Sequence, residues 1–281
     1  MNIAVFVKMV PVSNAVSVDP VTHVIIRDSI EGMMNPADLN AIEEAVQFKE
    51  KTDGQIVVFT MGPPTAESVL RVALSMGCDK ACLITDKSFA GGDTIATSKV
   101  LARSLQITGS FDLLITGASS SDGATGQVGP MIAEYLGIGH ISDIQSIQGI
   151  QSTQGIQGTQ SIYYKPDMGA TIKVEKKQRN MIYRLKADLP VLLTVKFGCN
   201  TPRLPTLRSR RDARDKPLSV YTNKELKMCP AEIGLNGSPT IVAESFTPER
   251  TRRAAFLSGN PREMANTILN LINIEKERNG L

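Results

Sequence analysis

Residues 112–137 read DLLITGASSSDGATGQVGPMIAEYLG, and they hold the residue types best suited to chemistry in this chain. Gly117, Gly123, Gly126 and Gly129 keep bulk away from the backbone, and Ser119, Ser120, Ser121 and Thr125 add hydroxyl donors. The pattern predicts a short apolar strand (Asp112 to Thr116), then a polar loop, then a helix. Pro130 falls in the first helical turn, where its missing N–H costs nothing. Such a unit aims free backbone N–H groups and the positive end of a helix dipole at one point, and the matching chemistry is phosphate binding. The loop is neither G-x-G-x-x-G nor G-x-x-x-x-G-K-[ST], so the ordinary dinucleotide fingerprint and the Walker loop are absent here. Glycine-rich strand-to-helix loops also occur without any ligand, and the loop alone leaves both readings open.

Other chemistries find little support. The two histidines, His23 and His140, and scattered carboxylates assemble no triad or glycosidase pair by spacing. Cys78, Cys82, Cys199 and Cys229 form no Cys-x-x-Cys pair, which argues against zinc or an iron–sulfur cluster within this chain. Cys78 and Cys82 read as small buried residues, one before and one inside a strand, and reduced thiols point to the cytoplasm. The net charge of +3 is too small to argue for nucleic acid, and tryptophan is absent, so a base-stacking surface is not expected. No run reaches the length of a membrane span. The apolar N-terminus MNIAVFVKMVP ends at a proline without a basic leader, and reads as a buried strand rather than a signal peptide.

The elements that must position the loop are legible from periodicity. Ile3–Val7, Gln55–Thr60, Lys80–Thr85 and Asp112–Thr116 are short and apolar without alternation, as strands buried on both faces are. Helical stripes lie between them: Leu39–Lys51 after Asn35-Pro36-Ala37-Asp38, then Pro64–Gly77, then Asp93–Leu105. Strands alternating with helices predict βαβ units around a mainly parallel sheet. Ligands of such sheets sit beyond the carboxyl ends of the strands, where Lys8–Ser13, Met61-Gly62-Pro63 and Gly117–Gly129 lie. Asp93 and Thr94 suit the cap of the third helix. Lys8 reads either as a solvated strand-end lysine or as an electrostatic partner of a nucleotide. Glu43, Glu44, Gln47 and Glu50 read as a solvated face with Lys49 and Lys51.

Residues 144–162, IQSIQGIQSTQGIQGTQSI, form a near-repeat that suits a half-buried hairpin or a mobile loop. Thr171–Glu175 and Met181–Lys186 suggest a hairpin, and Val191–Lys196 a further strand. From about Asn200 the periodicity fades. That stretch carries Arg203, Arg208, Arg210, Arg211 and Arg214, and reads as disordered or laid over a partner. A helix over Pro261–Lys276 closes the chain.

Several stretches together resemble the electron-transfer flavoprotein β subunit. They are Val7–Pro11, Asn35–Asp38 with Ala41–Ala45, Met61–Pro63, Arg71–Gly77, Phe89–Ser98, Asp122–Pro130, Leu189-Pro190, Pro202-Arg203 and Gly237–Thr240, in family order across nearly the whole chain. The resemblance implies a doubly wound, mainly parallel (Rossmann-like) α/β domain over 1–199. It also implies an arm and C-terminal helix over 200–281 that embrace an α subunit in a heterodimer. A nucleotide is implied at the switch-point loops: FAD in electron-bifurcating members, or AMP in simple carriers. By motif match, Phe6, Asn35, Pro36, Ala37, Asp38, Met61, Gly117, Asp122, Gly123, Ala124, Thr125, Gly126, Gln127 and Val128 would line it. The motifs look more like the bifurcating members, which implies electrons passing between NAD(H), ferredoxin or flavodoxin, and an α-subunit flavin serving a flavin-dependent dehydrogenase. Ser119, Ser120, Ser121 and Ala124 depart from the family loop. Leu207 matches a leucine that docks on acyl-CoA dehydrogenases, but Arg208–Arg214 replaces the lysine-rich run that usually follows. A non-redox nucleotide-sensing module on the same scaffold is the rival from another class. An ATP-dependent ligase-like enzyme would need a Ser-Gly-Gly-x-Asp loop after the first strand, and Lys8–Ser13 has none.

Overall fold

A computed structural model describes residues 1–12, 32–152, 169–240 and 256–278. The chain groups into two compact units, Met1–Val242 and Ala243–Leu281.

In the first unit, seven strands form one all-parallel sheet. They are β1 (Asn2–Phe6), β4 (Gln55–Met61), β5 (Lys80–Ile84), β6 (Leu113–Gly117), β7 (Gly139–Ile144), β11 (Val191–Val195) and β12 (Leu218–Tyr221). Their order is β12-β5-β4-β1-β6-β11-β7. β1 lies in the centre, with Ile3 registered against Ile56 on one side and Leu113 on the other. The chain builds outward through β4 and β5 and then crosses to β6, so the order reverses between β1 and β6. That reversal opens a crevice at the strands' carboxyl ends.

The strands are apolar on both faces because both are covered. Ile3 and Val5 enter a core shared with α1 (Pro36–Thr52) and α2 (Glu67–Met76). Ala4 and Phe6 enter a second core shared with α3 (Thr94–Thr108) and α4 (Val128–Leu136). Cys78 and Cys82 are buried in the first and second core respectively, and burial pushes their thiols up to about 12 and about 11.

Strands β8 (Ser146–Ser152), β9 (Ala170–Gln178) and β10 (Met181–Asp188) form an antiparallel sheet in the order β10-β9-β8. β9 and β10 are the hairpin expected from sequence. The start of the Ile/Gln tract is the half-buried strand β8, with Ile147 and Ile150 buried. The rest of the tract lies outside the described residues. A two-stranded ladder joins β2 (Met9–Pro11) to β3 (Gly32–Met34).

Two readings need correction. Glu43 and Glu44 are buried rather than on a solvated face, because the three-stranded sheet and residues 198–203 cover that side of α1. Glu44 accepts bonds from the Ile147 N–H and from Asn200 Nδ2, both at 3.0 Å. Glu43 is gripped by Arg203 through its backbone N–H and its guanidinium. Arg203 is therefore an internal clamp, which also reaches Glu50. Arg208, Arg210, Arg211 and Arg214 stay exposed.

The stretch after Asn200 is also more ordered than its composition suggests. Thr206 caps α5 (Leu207–Asp212), β12 pairs with β5, and Thr222 with Glu225 forms a capping box on α6 (Asn223–Leu226). Single buried residues (Ala213, Leu226, Ile233) anchor it, too far apart in sequence to make a periodic signal. Lys216 Nζ adds a tie to the carbonyls of Leu74 and Cys78 at the end of α2, where a cation also suits the helix dipole.

The second unit holds α7 (Pro261–Arg278), matching the expected closing helix. Asn260 accepts from the Glu263 N–H, and Glu263 accepts in turn from the Asn260 N–H, which fixes its start.

Candidate nucleotide-binding site

The crevice between β1 and β6 is built from three segments stitched by one buried pair. The backbone leaving β1 ends at Lys8, whose carbonyl accepts from the Asn35 N–H at 2.9 Å. Asn35 heads α1 and is almost fully buried. Its Nδ2 donates to Asp38 Oδ1 and to the Ser119 carbonyl, both at 3.0 Å, and its Oδ1 accepts from the Ser121 N–H at 3.1 Å. Asp38 Oδ2 accepts from the Lys8 N–H at 2.7 Å, and the Gly117 N–H also donates to this carboxyl group. End of β1, head of α1 and loop after β6 are thus fixed to one another through Asn35 and Asp38.

That closeness is why residue 117 is glycine. A Cβ there would overlap Asp38 Oδ1 and lie 2.9 Å from Ala37 Cβ. Gly126 serves a different need: its φ of +65° is left-handed, a conformation that glycine adopts without strain. Ala124 takes a φ of +49° in the same loop. Gly129 lets the head of α4 lie on the sheet, since a Cβ would sit 2.9 Å from Thr116 Oγ1 and 3.0 Å from Thr194 Cγ2.

The result is an exposed loop, Ser121 to Gln127, leading into α4. The first amides of a helix have no intrahelical partner, and the helix dipole adds positive potential there. Gln127 is held from outside, its Oε1 accepting from Thr94 Oγ1 at 3.0 Å. Lys8 Nζ lies 2.8 and 2.7 Å from the two Asp122 oxygens and neutralises the one carboxylate on the loop. Burial pushes the Asp122 carboxyl up, but the bond and charge of Lys8 together with hydrogen bonds from Ser120 and Gly123 outweigh this and hold it below the usual carboxylate range. Lys8 is therefore ion-paired rather than freely solvated.

The behaviour of Asp38 is the reverse. Burial pushes its carboxyl up to about 7, against the hydrogen bonds of Asn35, Lys8 and Gly117 and the charge of Lys8.

Of the residues expected to line a nucleotide, Asn35, Ala37, Asp38 and Gly117 meet at the stitch, and Asp122 joins through Lys8. Gly123, Ala124, Thr125, Gly126 and Gln127 form the exposed loop, and Val128 opens α4. Pro36 occupies the first turn of α1. Phe6 and Met61 belong to the apolar core beneath, where the Phe6 ring stands 5.5 Å from that of Phe59.

Beyond these residues, Asp93 caps α3 by accepting from the Ile95 and Ala96 N–H groups at 2.9 and 3.0 Å. It also accepts from Thr240 Oγ1 at 2.8 Å, while its own N–H donates to Ser238 Oγ. The Gly237–Thr240 motif was visible in the sequence, but nothing local to it points to Asp93.

Residues 22–226 match the electron transfer flavoprotein domain family. The chain belongs to the electron transfer flavoprotein family. It is 36% identical to the electron transfer flavoprotein subunit beta of Thermoanaerobacterium thermosaccharolyticum, over 97% of this chain and 98% of that one. It is 35% identical to protein FixA of Azotobacter vinelandii, over 96% and 93% of the two chains. It is 33% identical to the caffeyl-CoA reductase-Etf complex subunit CarD of Acetobacterium woodii, over 92% of each. The parallel doubly wound sheet agrees with the fold that this family membership implies. Among the described residues, no helix is long and apolar enough to cross a membrane.

Proposed function

We propose that this chain is the β subunit of a heterodimeric electron transfer flavoprotein and binds FAD in the β1–β6 crevice. In this reading it serves flavin-based electron bifurcation, linking NAD(H), ferredoxin or flavodoxin, and an α-subunit flavin that feeds a flavin-dependent dehydrogenase. The carrying observation is the backbone cradle: an exposed loop with Gly126 in the left-handed region, running into the head of α4. The residues present suit a dinucleotide. The loop over residues 118–127 carries only small and polar side chains, and its one carboxylate is neutralised by Lys8. The likeness to FixA and to CarD, whose name places it in a caffeyl-CoA reductase complex, supports a role inside a larger redox assembly.

Thr125, Gly126, Gln127 and Val128 would face the phosphates with backbone N–H groups, since they open the helix. Thr94 would steady Gln127, and Asn35 with Asp38 would hold the loop at a fixed distance from β1. FAD, when bound, supplies the exchange of electrons with NAD(H) and their division between two routes; the protein supplies binding, orientation and electrostatics. Free thiols at Cys78, Cys82, Cys199 and Cys229 support a reducing cytoplasmic setting.

The test is cofactor stoichiometry. The chain is co-expressed with its α-type companion, and flavin and AMP are counted in the purified heterodimer. Two flavins are expected. One flavin with one AMP would make it a simple carrier, and a colourless ATP-binding monomer would favour a sensing module.

A further inference from the structure

Asp38, like Glu44 and unlike Glu43, has no cation on it among the described residues, and of the three it alone stands at the crevice stitch. Its side chain is 5% exposed. All three of its recognised donors are neutral N–H groups: those of Lys8, Asn35 and Gly117. Among the described residues, two charged side chains stand near it, Lys8 after β1 and Asp122 on the loop after β6. Only Lys8 bears on it directly, and the Lys8 ammonium is engaged by both oxygens of Asp122. Farther along its own helix, Glu43 and Glu44 are taken up by Arg203 and Asn200. A buried carboxyl group with no ion pair is held between two protonation states by burial on one side and N–H donors on the other.

Its place in the crevice gives that balance a consequence. The Gly117 N–H that donates to Asp38 begins the same loop that ends at the head of α4. An anion seated on that loop adds negative charge beside a carboxyl group that has no ion pair among the described residues. Like charge favours the protonated form. By linkage, protonation of this group must then favour the anion.

We propose that Asp38 is a positioning residue of the crevice and that an anionic nucleotide is taken up there together with a proton on its carboxyl group. The proton comes from bulk water or buffer and ends on a carboxyl oxygen, and no other bond changes. Asp38 acts through the Asn35–Gly117 stitch rather than by touching the nucleotide, because its oxygens are occupied by backbone and amide donors. The inference rests on the nucleotide reading of the crevice.

Calorimetry on the nucleotide-stripped heterodimer tests it. FAD is titrated at pH 7.5 in two buffers of different ionisation heat, so that protons exchanged per FAD bound are read directly. The pyrophosphate of FAD does not itself titrate near this pH. Uptake of about half a proton is expected, as for a group near pH 7 raised by about one unit on binding. Asp38→Asn should still bind FAD but take up none. Lys8→Met keeps the backbone N–H and removes the one nearby cation, so the pH of greatest uptake should move upward even if Asp38→Asn does not fold. Binding without proton uptake, or equal uptake in Asp38→Asn, or an unmoved profile in Lys8→Met, overturns this inference alone. Failure of FAD to bind the crevice overturns the nucleotide reading as well.

Discussion

Helix α1 buries carboxylates at two places, and only one of the two holds a cation. In its second and third turns, Glu43 meets Arg203, and Glu44 meets Asn200 and the Ile147 N–H. At its first turn, Asp38, like Glu44, meets only neutral donors among the described residues. The same residue class on one helix thus does two jobs. The paired site fastens residues 198–203 to the domain, and removing its cation would strand a buried charge. The unpaired site holds the walls of a crevice and is left sensitive to whatever charge arrives there.

The sharpest way to separate the two regions is to fill the cradle. Gly126→Glu puts bulk and negative charge at a left-handed position whose Cβ would lie 3.2 Å from the Ala118 carbonyl. Nucleotide affinity should fall by more than about 100-fold, equivalent to roughly 2.7 kcal/mol. Equilibrium dialysis with radiolabelled nucleotide reads this, and the Arg203 clamp should be undisturbed.

The converse variant is Arg203→Ala. It leaves Glu43 buried without its cation and should lower the unfolding free energy by about 2–3 kcal/mol in urea, below the usual cost of about 3–5 kcal/mol because Arg203 is itself partly exposed. Nucleotide affinity of the folded protein should not change. A loss of affinity as large as the loss of stability would dissolve the distinction between the two regions.

Smaller effects sharpen it further. Asp93→Ala removes the cap of α3 and the anchor of Thr240, and should cost about 1–2 kcal/mol. Amide hydrogen exchange at Ser238 and Thr240 should rise with it.

The pH dependence of stability should carry both signatures with opposite sign. Asp38 is raised to about 7 when folded, so the native state binds its proton more tightly than the unfolded chain. Stability from this group grows as pH falls from about 7 toward 4. Glu43 is pushed up by burial, but Arg203 and Gln47 outweigh this and hold it below the ordinary glutamate value. Its stabilising effect is present above pH 4.5 and is lost as pH falls through the lowered value. Urea unfolding of Asp38→Asn and Glu43→Gln across pH 3–8 would resolve the two.

Much of this was legible in the sequence. The four unalternating strands at Ile3, Gln55, Lys80 and Asp112 announced a parallel sheet, and the glycine spacing from Gly117 to Gly129 announced the strand–loop–helix unit. Asp93 read correctly as a cap because capping is local. What escaped was non-local. Glu43 and Glu44 look solvated until Arg203 and Asn200 arrive from about 160 positions away. Strand β12 is a short segment, LSVY, whose partner β5 lies more than 130 residues earlier, and its burial pattern carries no period. The stitch at Asp38 was visible as a motif, but its lack of a cation appears only once Lys8 is seen turned to Asp122.

The most direct test of the cradle is a crystal structure of the heterodimer grown with its companion α subunit. Phosphate density within hydrogen-bonding distance of the Gln127 and Val128 amides is expected, with Asp38 still buried behind Gly117. A crevice filled by a protein segment, or a nucleotide bound elsewhere on this chain, would contradict it.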